Sequence, residues 1–283
     1  MTFDLFVQIM SMNFMVRAMI VGLMVSLCAA LLGVNLVLKR YAMIGTSLSH
    51  VSFAAAVIIG AVGIAPTEAL NNLVISMLVV VAAAFLMLRL SESSKVKGDS
   101  VVALVSTSSL AVGVIIVSQT TGITLHICNV MFGSILATTW ADTYVSIILS
   151  VAVLGLFVFF YKQLFAVTYD ENFAKATGTK VEIYKSMLAI LTAVTVVLGM
   201  RMMGALLIAA LTVFPALTAM CLCKRFLSVI ITAAVVGVVS FFVGMSLAVW
   251  FEGLPPGASV VGVNLAIFAV FNVIAFAKRG IAR

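Results

Sequence analysis

The chain has 283 residues, 64% of them hydrophobic and only 9% charged, with a formal net charge of +7 and a mean hydropathy of +1.32. A soluble domain carries about 25% charged residues to solvate its surface, so this composition excludes a water-soluble globular protein. The apolar runs are continuous and approach the roughly 20 residues that cross a bilayer as a helix, which excludes a barrel of alternating strands and predicts an all-α polytopic membrane fold.

The first apolar run, 14–38, follows Asp4 and no basic stretch, so it reads as a retained span and not as a cleaved signal. The second run, 43–64, opens with "MIGTSLSHVSF" (43–53), where Thr46, Ser47, Ser49, His50 and Ser52 interrupt an otherwise hydrocarbon chain. On a helix, Thr46 and Ser47 precede His50 by four and three positions and share its face. Imidazole is a good ligand for zinc and also suits copper, iron and nickel; a nearby hydroxyl can orient the ring. Residue types alone leave two readings open here: a ligand on a metal path, or a buried histidine satisfied by a neighbour and joining helices.

Runs 69–90 and 100–118 follow, separated by a hydrophilic stretch at 91–99. The shorter run 127–138 has the length of half a span; His126, just before it, reads as an interfacial residue and Cys128 as a small thiol. Run 143–161 precedes the second long hydrophilic stretch, 162–183. Within that stretch, Asp170, Glu171 and Asn172 can cap a short helix, with Phe173 and Ala174 on an apolar face and Gly178 ending it. Taken by itself the segment is either a solvated connector or a docking helix for a separate motor protein. Runs 184–200 and 203–222 flank Arg201, which reads as a structural cation at a break between spans. Gly199 and Gly204 permit close helix approach, and Pro215 predicts a bend. Run 226–250, the turn "GLPPG" (253–257) and run 259–277 complete the chain. The sum is about eight to ten hydrophobic helices, a single transmembrane domain over residues 1–283 with no separate soluble unit.

Alternating runs place fourteen of the sixteen basic residues on one side, all but Arg17 and Arg201. By the positive-inside bias that side is the cytoplasm, which predicts an external N-terminus, a cytoplasmic C-terminus and about nine crossings. The basic balance thus reports topology and not nucleic-acid binding. Cys28, Cys128, Cys221 and Cys223 form no disulfide framework and read as small buried thiols. Every acidic residue falls near the end of a run or between runs. An ion-coupled carrier needs an ionisable group near the midplane, and an intramembrane enzyme needs a catalytic set; neither pattern is present. The sequence also lacks a phosphate-binding G-x-x-x-x-G-K-[ST] loop, so no ATPase is expected in the chain itself, and if it moves a solute the energy comes from elsewhere.

Several stretches in register resemble the membrane subunit of the metal-ion ABC importers, the zinc/manganese/iron class. They are "VLKRYAMIGTSLSHVSFA" (37–54), "MFGSILA" (131–137), "YDENFAKATG" (169–178) and "GMRMMGALLIAALTVFPALTA" (199–219), followed by "LPPGASVV" (254–261). The resemblance implies a multi-pass permease in the cytoplasmic membrane of a prokaryote. It implies a second copy of the chain, a cytosolic ABC ATPase and an external metal-binding protein as partners, with the divalent metal as cargo and no cofactor in the chain. It implies that 169–178, with Asp170, Glu171, Phe173, Ala174 and Gly178, is the coupling segment that docks on the ATPase. It also implies that His50 and the residue at 46 line the metal path. Members commonly read G-D-x-[LI]-[SA]-H at this motif, whereas this chain has Thr46 at the aspartate position. The loss removes a negative charge that would offset desolvation of a divalent cation. "SHVSFA" and "MFGSIL" lie nearer the zinc branch, so zinc is expected ahead of manganese. The rivals are a secondary carrier and a permease for an iron chelate.

Overall fold

A computed structural model describes residues 12–61, 69–93, 98–119, 140–251 and 254–281. In lipid a backbone can satisfy its polar groups only within itself, and the described residues are accordingly helical. In chain order they are α1 (Asn13–Leu38), α2 (Ile44–Ala61), α3 (Ala69–Ser93), α4 (Gly98–Gln119), α5 (Trp140–Phe159), α6 (Tyr161–Tyr169), α7 (Glu171–Ala176), α8 (Val181–Met203), α9 (Ala205–Leu222), α10 (Phe226–Trp250) and α11 (Pro256–Ile281). Seven of these are long and apolar enough to cross a membrane, and an eighth if the bent pair α5–α6 counts as one span; α3 adds a shorter apolar stretch, Ile75–Met87.

The core forms around α1, which packs against α5, α8, α9 and α10. Its buried face carries small residues: Ala29, Ala30 and Val34 are wholly inaccessible, as is Val25. Small side chains let membrane helices approach closely enough for dispersion to replace the missing hydrophobic drive. The tightest point is Gly33, where an added Cβ would lie 2.0 Å from the Thr212 carbonyl oxygen of α9. Thr212 also touches α2, its Oγ1 facing Gly45, so one residue of α9 sets the distance to both α1 and α2.

The corner between α1 and α2 is a Schellman turn. The Arg40 N–H donates to the Val37 carbonyl and the Tyr41 N–H to the Leu36 carbonyl. Arg40 itself takes the left-handed conformation, φ 62°, that glycine normally occupies at this position. Between α8 and α9 the break falls on Gly204, φ 88° and ψ 159°, a region open essentially to glycine alone.

Two expectations change. Run 143–161 does not continue straight: α5 and α6 meet at an angle of 68° around Phe160. Residues 162–169, the start of the hydrophilic stretch 162–183, instead belong to helix α6, because Leu164 and Val167 are buried while Tyr169 stays exposed. Pro215 lies inside α9, which runs continuously through it from Ala205 to Leu222. Run 127–138, His126, Cys128 and part of "GLPPG" lie outside the described residues.

Candidate metal pathway and coupling segment

The polar residues of the 43–53 motif divide by helical face. Ser47, Ser49 and Ser52 are buried, and the first two have structural partners. Ser47 Oγ donates to Met87 Sδ of α3 at 3.3 Å, and Ser49 Oγ donates to the Gly45 carbonyl one turn back at 2.9 Å. Thr46 and His50 stand one turn apart on α2 and are both half-buried. These are the two residues the family resemblance placed on the path, and the helix brings them to one face.

His50 has a partner that the sequence did not reveal. Its Nδ1 lies 2.7 Å from Ser106 Oγ on α4, a helix that packs closely along α2. Hydroxyls can donate or accept, so the tautomer is set by what the other nitrogen does. With Nδ1 engaged by Ser106, Nε2 is the nitrogen able to take a cation. Ser106 begins the run "STSS" (106–109) in the middle of α4. Thr107 Oγ1 and Ser108 Oγ turn back to carbonyls of their own helix at 2.9 and 3.1 Å; Ser106 instead reaches across to α2. On the next turns of α2, away from the α1 corner, Phe53 and Val57 pack with Val117 of α4 and Met200 of α8 in a small apolar cluster.

The donor set is sparse. Among the described residues, no three His, Cys, Asp or Glu side chains converge as a metal-holding group. One imidazole with hydroxyls nearby makes a weak site, and weakness suits a path, since a solute bound deeply cannot leave. The thiols take other partners: Cys28 Sγ lies 3.6 Å from the Ser150 carbonyl, Cys221 Sγ 3.5 Å from Asn272 Oδ1 and Cys223 Sγ 3.3 Å from Thr232 Oγ1.

The second candidate region is α7. Asp170 is its N-cap, and one carboxylate oxygen accepts from the Asn172 and Phe173 N–H groups at 3.0 Å each, satisfying two donors that a helix start leaves open. Gly178, φ 81°, lies just beyond the end, where the chain reverses into α8. The residues between do not share one apolar face. Ala174 is wholly buried against Val167 and Val181, while its neighbour Phe173 is 63% exposed. Consecutive helical positions point about 100° apart, and here that separation turns one side chain inward and the other to the surface.

Glu171 points inward as well. Its carboxylate bridges two lysines, Lys39 Nζ at 3.1 Å and Lys185 Nζ at 2.8 Å. Partial burial pushes its pKa up, but hydrogen bonds and charge from both ammonium groups outweigh that and hold the carboxyl below the ordinary value. Of the five residues assigned to coupling, therefore, Asp170 and Gly178 bound the helix, Glu171 and Ala174 anchor it, and Phe173 is presented outward.

The ABC 3 transport family signature matches residues 11–277. The chain is 26% identical, over 94% of its length and 88% of the relative's, to the manganese transport system membrane protein MntC of Halalkalibacterium halodurans. It is 30% identical, over 95% and 93%, to a probable iron transport system membrane protein of Haemophilus influenzae. It is 27% identical, over 89% and 94%, to the high-affinity zinc uptake system membrane protein ZnuB of the same species. Its fold matches a chain of PsaBC from Streptococcus pneumoniae, solved in complex with Fab, with a TM-score of 0.82 at 24% identity over 95% of both chains. The motifs, the helical membrane architecture and the match along nearly the whole chain lead to one conclusion: this protein belongs to the ABC 3 transport family, as a membrane permease subunit that hydrolyses no ATP itself.

Proposed function

We propose that the chain forms the pathway of an ATP-driven importer of a divalent first-row transition metal, zinc ahead of manganese, working by alternating access. The observation that carries this reading is the His50–Ser106 pair at 2.7 Å, which leaves an imidazole nitrogen for a cation on two helices that line one another. Relatives named for manganese, iron and zinc transport support the class of cargo. The preference within it rests on donor chemistry. Manganese favours carboxylate and carbonyl oxygen, whereas imidazole suits zinc, which also stands above manganese in intrinsic affinity for nitrogen donors. Thr46 in place of the aspartate removes the hard anionic donor and tilts the site toward zinc.

Two copies would supply a His50 each, flanked by two cytosolic ATPases and fed by an external binding protein. ATP-driven closure of the ATPases would move α7, with Phe173 as the exposed aromatic contact, and switch the pathway from outward-open to inward-open. A secondary carrier is disfavoured because the acidic residues fall near run ends and between runs.

The test is uptake by proteoliposomes holding this chain with its ATPase and binding protein, comparing zinc, manganese and iron with and without ATP. Zinc uptake should be fastest and strictly ATP-dependent, and Thr46→Asp should shift the preference toward manganese. Uptake that runs without ATP on an ion gradient, or a manganese preference in the unaltered protein, would contradict the proposal.

A further inference from the structure

The Glu171 carboxylate lies between two nearly buried ammonium groups. The Lys39 side chain is 8% exposed and that of Lys185 14%. Charges withdrawn from water favour a counter-charge at hydrogen-bond distance, and Glu171 supplies one to both lysines. Each comes from a different element: Lys39 is the C-terminal cap of α1, Glu171 the first residue of α7 and Lys185 a residue of α8. A helix as short as α7 has no stability of its own. Its remaining ties are the Ala174 methyl packed on Val167 and Val181 and an exposed Lys175–Glu182 pair at 3.8 Å, which links it to α8 but not to α1.

Backbone hydrogen bonds carry the corner from Lys39 into α2. The Tyr41 N–H donates to Leu36, Ile44 to Tyr41 and Ser47 to Met43. The corner with Arg40 in its left-handed conformation therefore passes directly into α2. Thr46 and His50 sit in the first two turns of that helix. A displacement applied at Glu171 meets a part-buried ion pair, then a hydrogen-bonded corner, then the helix that carries His50.

We propose that Glu171 is a positioning residue that faces away from the ATPase and links α7 to the metal-path helix through Lys39. This rests on the reading of α7 as the coupling helix. Phe173 receives the push, Glu171 and Lys39 carry it to the α1–α2 corner, and Lys185 keeps the carboxylate aligned from α8. Without the bridge α7 can still dock and the ATPase can still turn over, but its movement is no longer delivered to α2.

The test measures ATP hydrolysis and metal uptake on the same proteoliposomes of the complete complex, for the unaltered chain, Glu171→Gln, Lys39→Gln and the exchange Glu171→Lys with Lys39→Glu and Lys185→Glu. The exchange inverts all three charges and so keeps an opposite charge on each side of position 171. Each single variant should retain the ATPase subunit on purification yet hydrolyse between about 2- and 30-fold more ATP per metal ion imported. The exchange should return that ratio to within about twofold of the unaltered complex. Single variants with an unchanged ratio would overturn the proposal. If the single variants do not assemble, the exchange decides: normal coupling supports the link, and an assembled but uncoupled exchange refutes it. A failure of the coupling-helix reading looks different. Phe173→Ala would then leave ATPase retention intact, and the link would fall with the reading it rests on.

Discussion

Ser106→Ala is the substitution most informative about the metal path. It removes one atom, the Oγ that lies 2.7 Å from His50 Nδ1, and changes little else, because Ser106 is small and half-buried on α4. Loss of a hydrogen bond of this kind costs about 0.5–1.5 kcal/mol, or roughly 2- to 13-fold in an equilibrium that depends on the ring's orientation. Partners that fix a metal-binding imidazole are worth more, about 10- to 100-fold in affinity, because they set the tautomer as well as the angle. The expected result is a KM for zinc uptake raised by about 10- to 100-fold, with ATP hydrolysis by the complex retained. Ser106→Thr keeps a hydroxyl and should recover most of the loss. A KM within twofold of the unaltered value in Ser106→Ala would refute the reasoning, since Nδ1 would then need no fixed partner for Nε2 to act.

Packing and charge give three further expectations. Gly33→Ala places a Cβ 2.0 Å from the Thr212 carbonyl and should lower stability by about 1–3 kcal/mol. Gly155→Ala, where nothing lies within 4 Å of the new Cβ, should gain a few tenths to about 1 kcal/mol; thermal midpoints in detergent would reveal the opposite signs. Arg40→Gly relieves the left-handed backbone at φ 62° and should add stability on the order of 1 kcal/mol, read as a higher midpoint; a lower midpoint would mean the Arg40 side chain is holding the corner. The Glu171 carboxyl sits below its ordinary value of 4.5 in the folded protein, so its hold on α7 is fully present above that pH. It is lost as the pH falls through the depressed value. Amide protection over 170–177, taken relative to the intrinsic exchange rate at each pH, should therefore fall on acidification of the unaltered chain, and Glu171→Gln should lack that dependence.

Long apolar runs were legible because bilayer crossing demands length and composition that few other structures share. Helices α1, α2 and α8 to α10 fall close to where those runs predict them. The break between α8 and α9 was expected at Arg201, which lies inside α8; it falls instead at Gly204, whose φ of 88° and ψ of 159° are open essentially to glycine alone. Helix α6 was not: "YKQLFAVTY" is polar enough to pass for a loop, and its two buried residues, Leu164 and Val167, give only a faint helical period. The 68° turn at Phe160 is decided by packing among α5, α6 and α8 and leaves no glycine or proline as a mark. At the site, His50 stood out because an ionisable group inside a membrane is costly. Its partner did not, since a contact spanning 56 positions leaves no local pattern. The hydroxyl run 106–109 in the middle of an apolar span was the available signal. In α7 the cap and the stop were readable from Asp170 and Gly178, but the opposite exposures of Phe173 and Ala174 depend on where the neighbouring helices lie.

The central claim is that the cargo passes His50. ATP-dependent zinc uptake by proteoliposomes of the complete complex, measured for the unaltered chain and for His50→Ala, tests it most directly. Uptake should fall to background in His50→Ala while the ATPase remains bound and active. Uptake at the unaltered rate in His50→Ala would make the histidine a packing residue between α2 and α4 and place the pathway elsewhere.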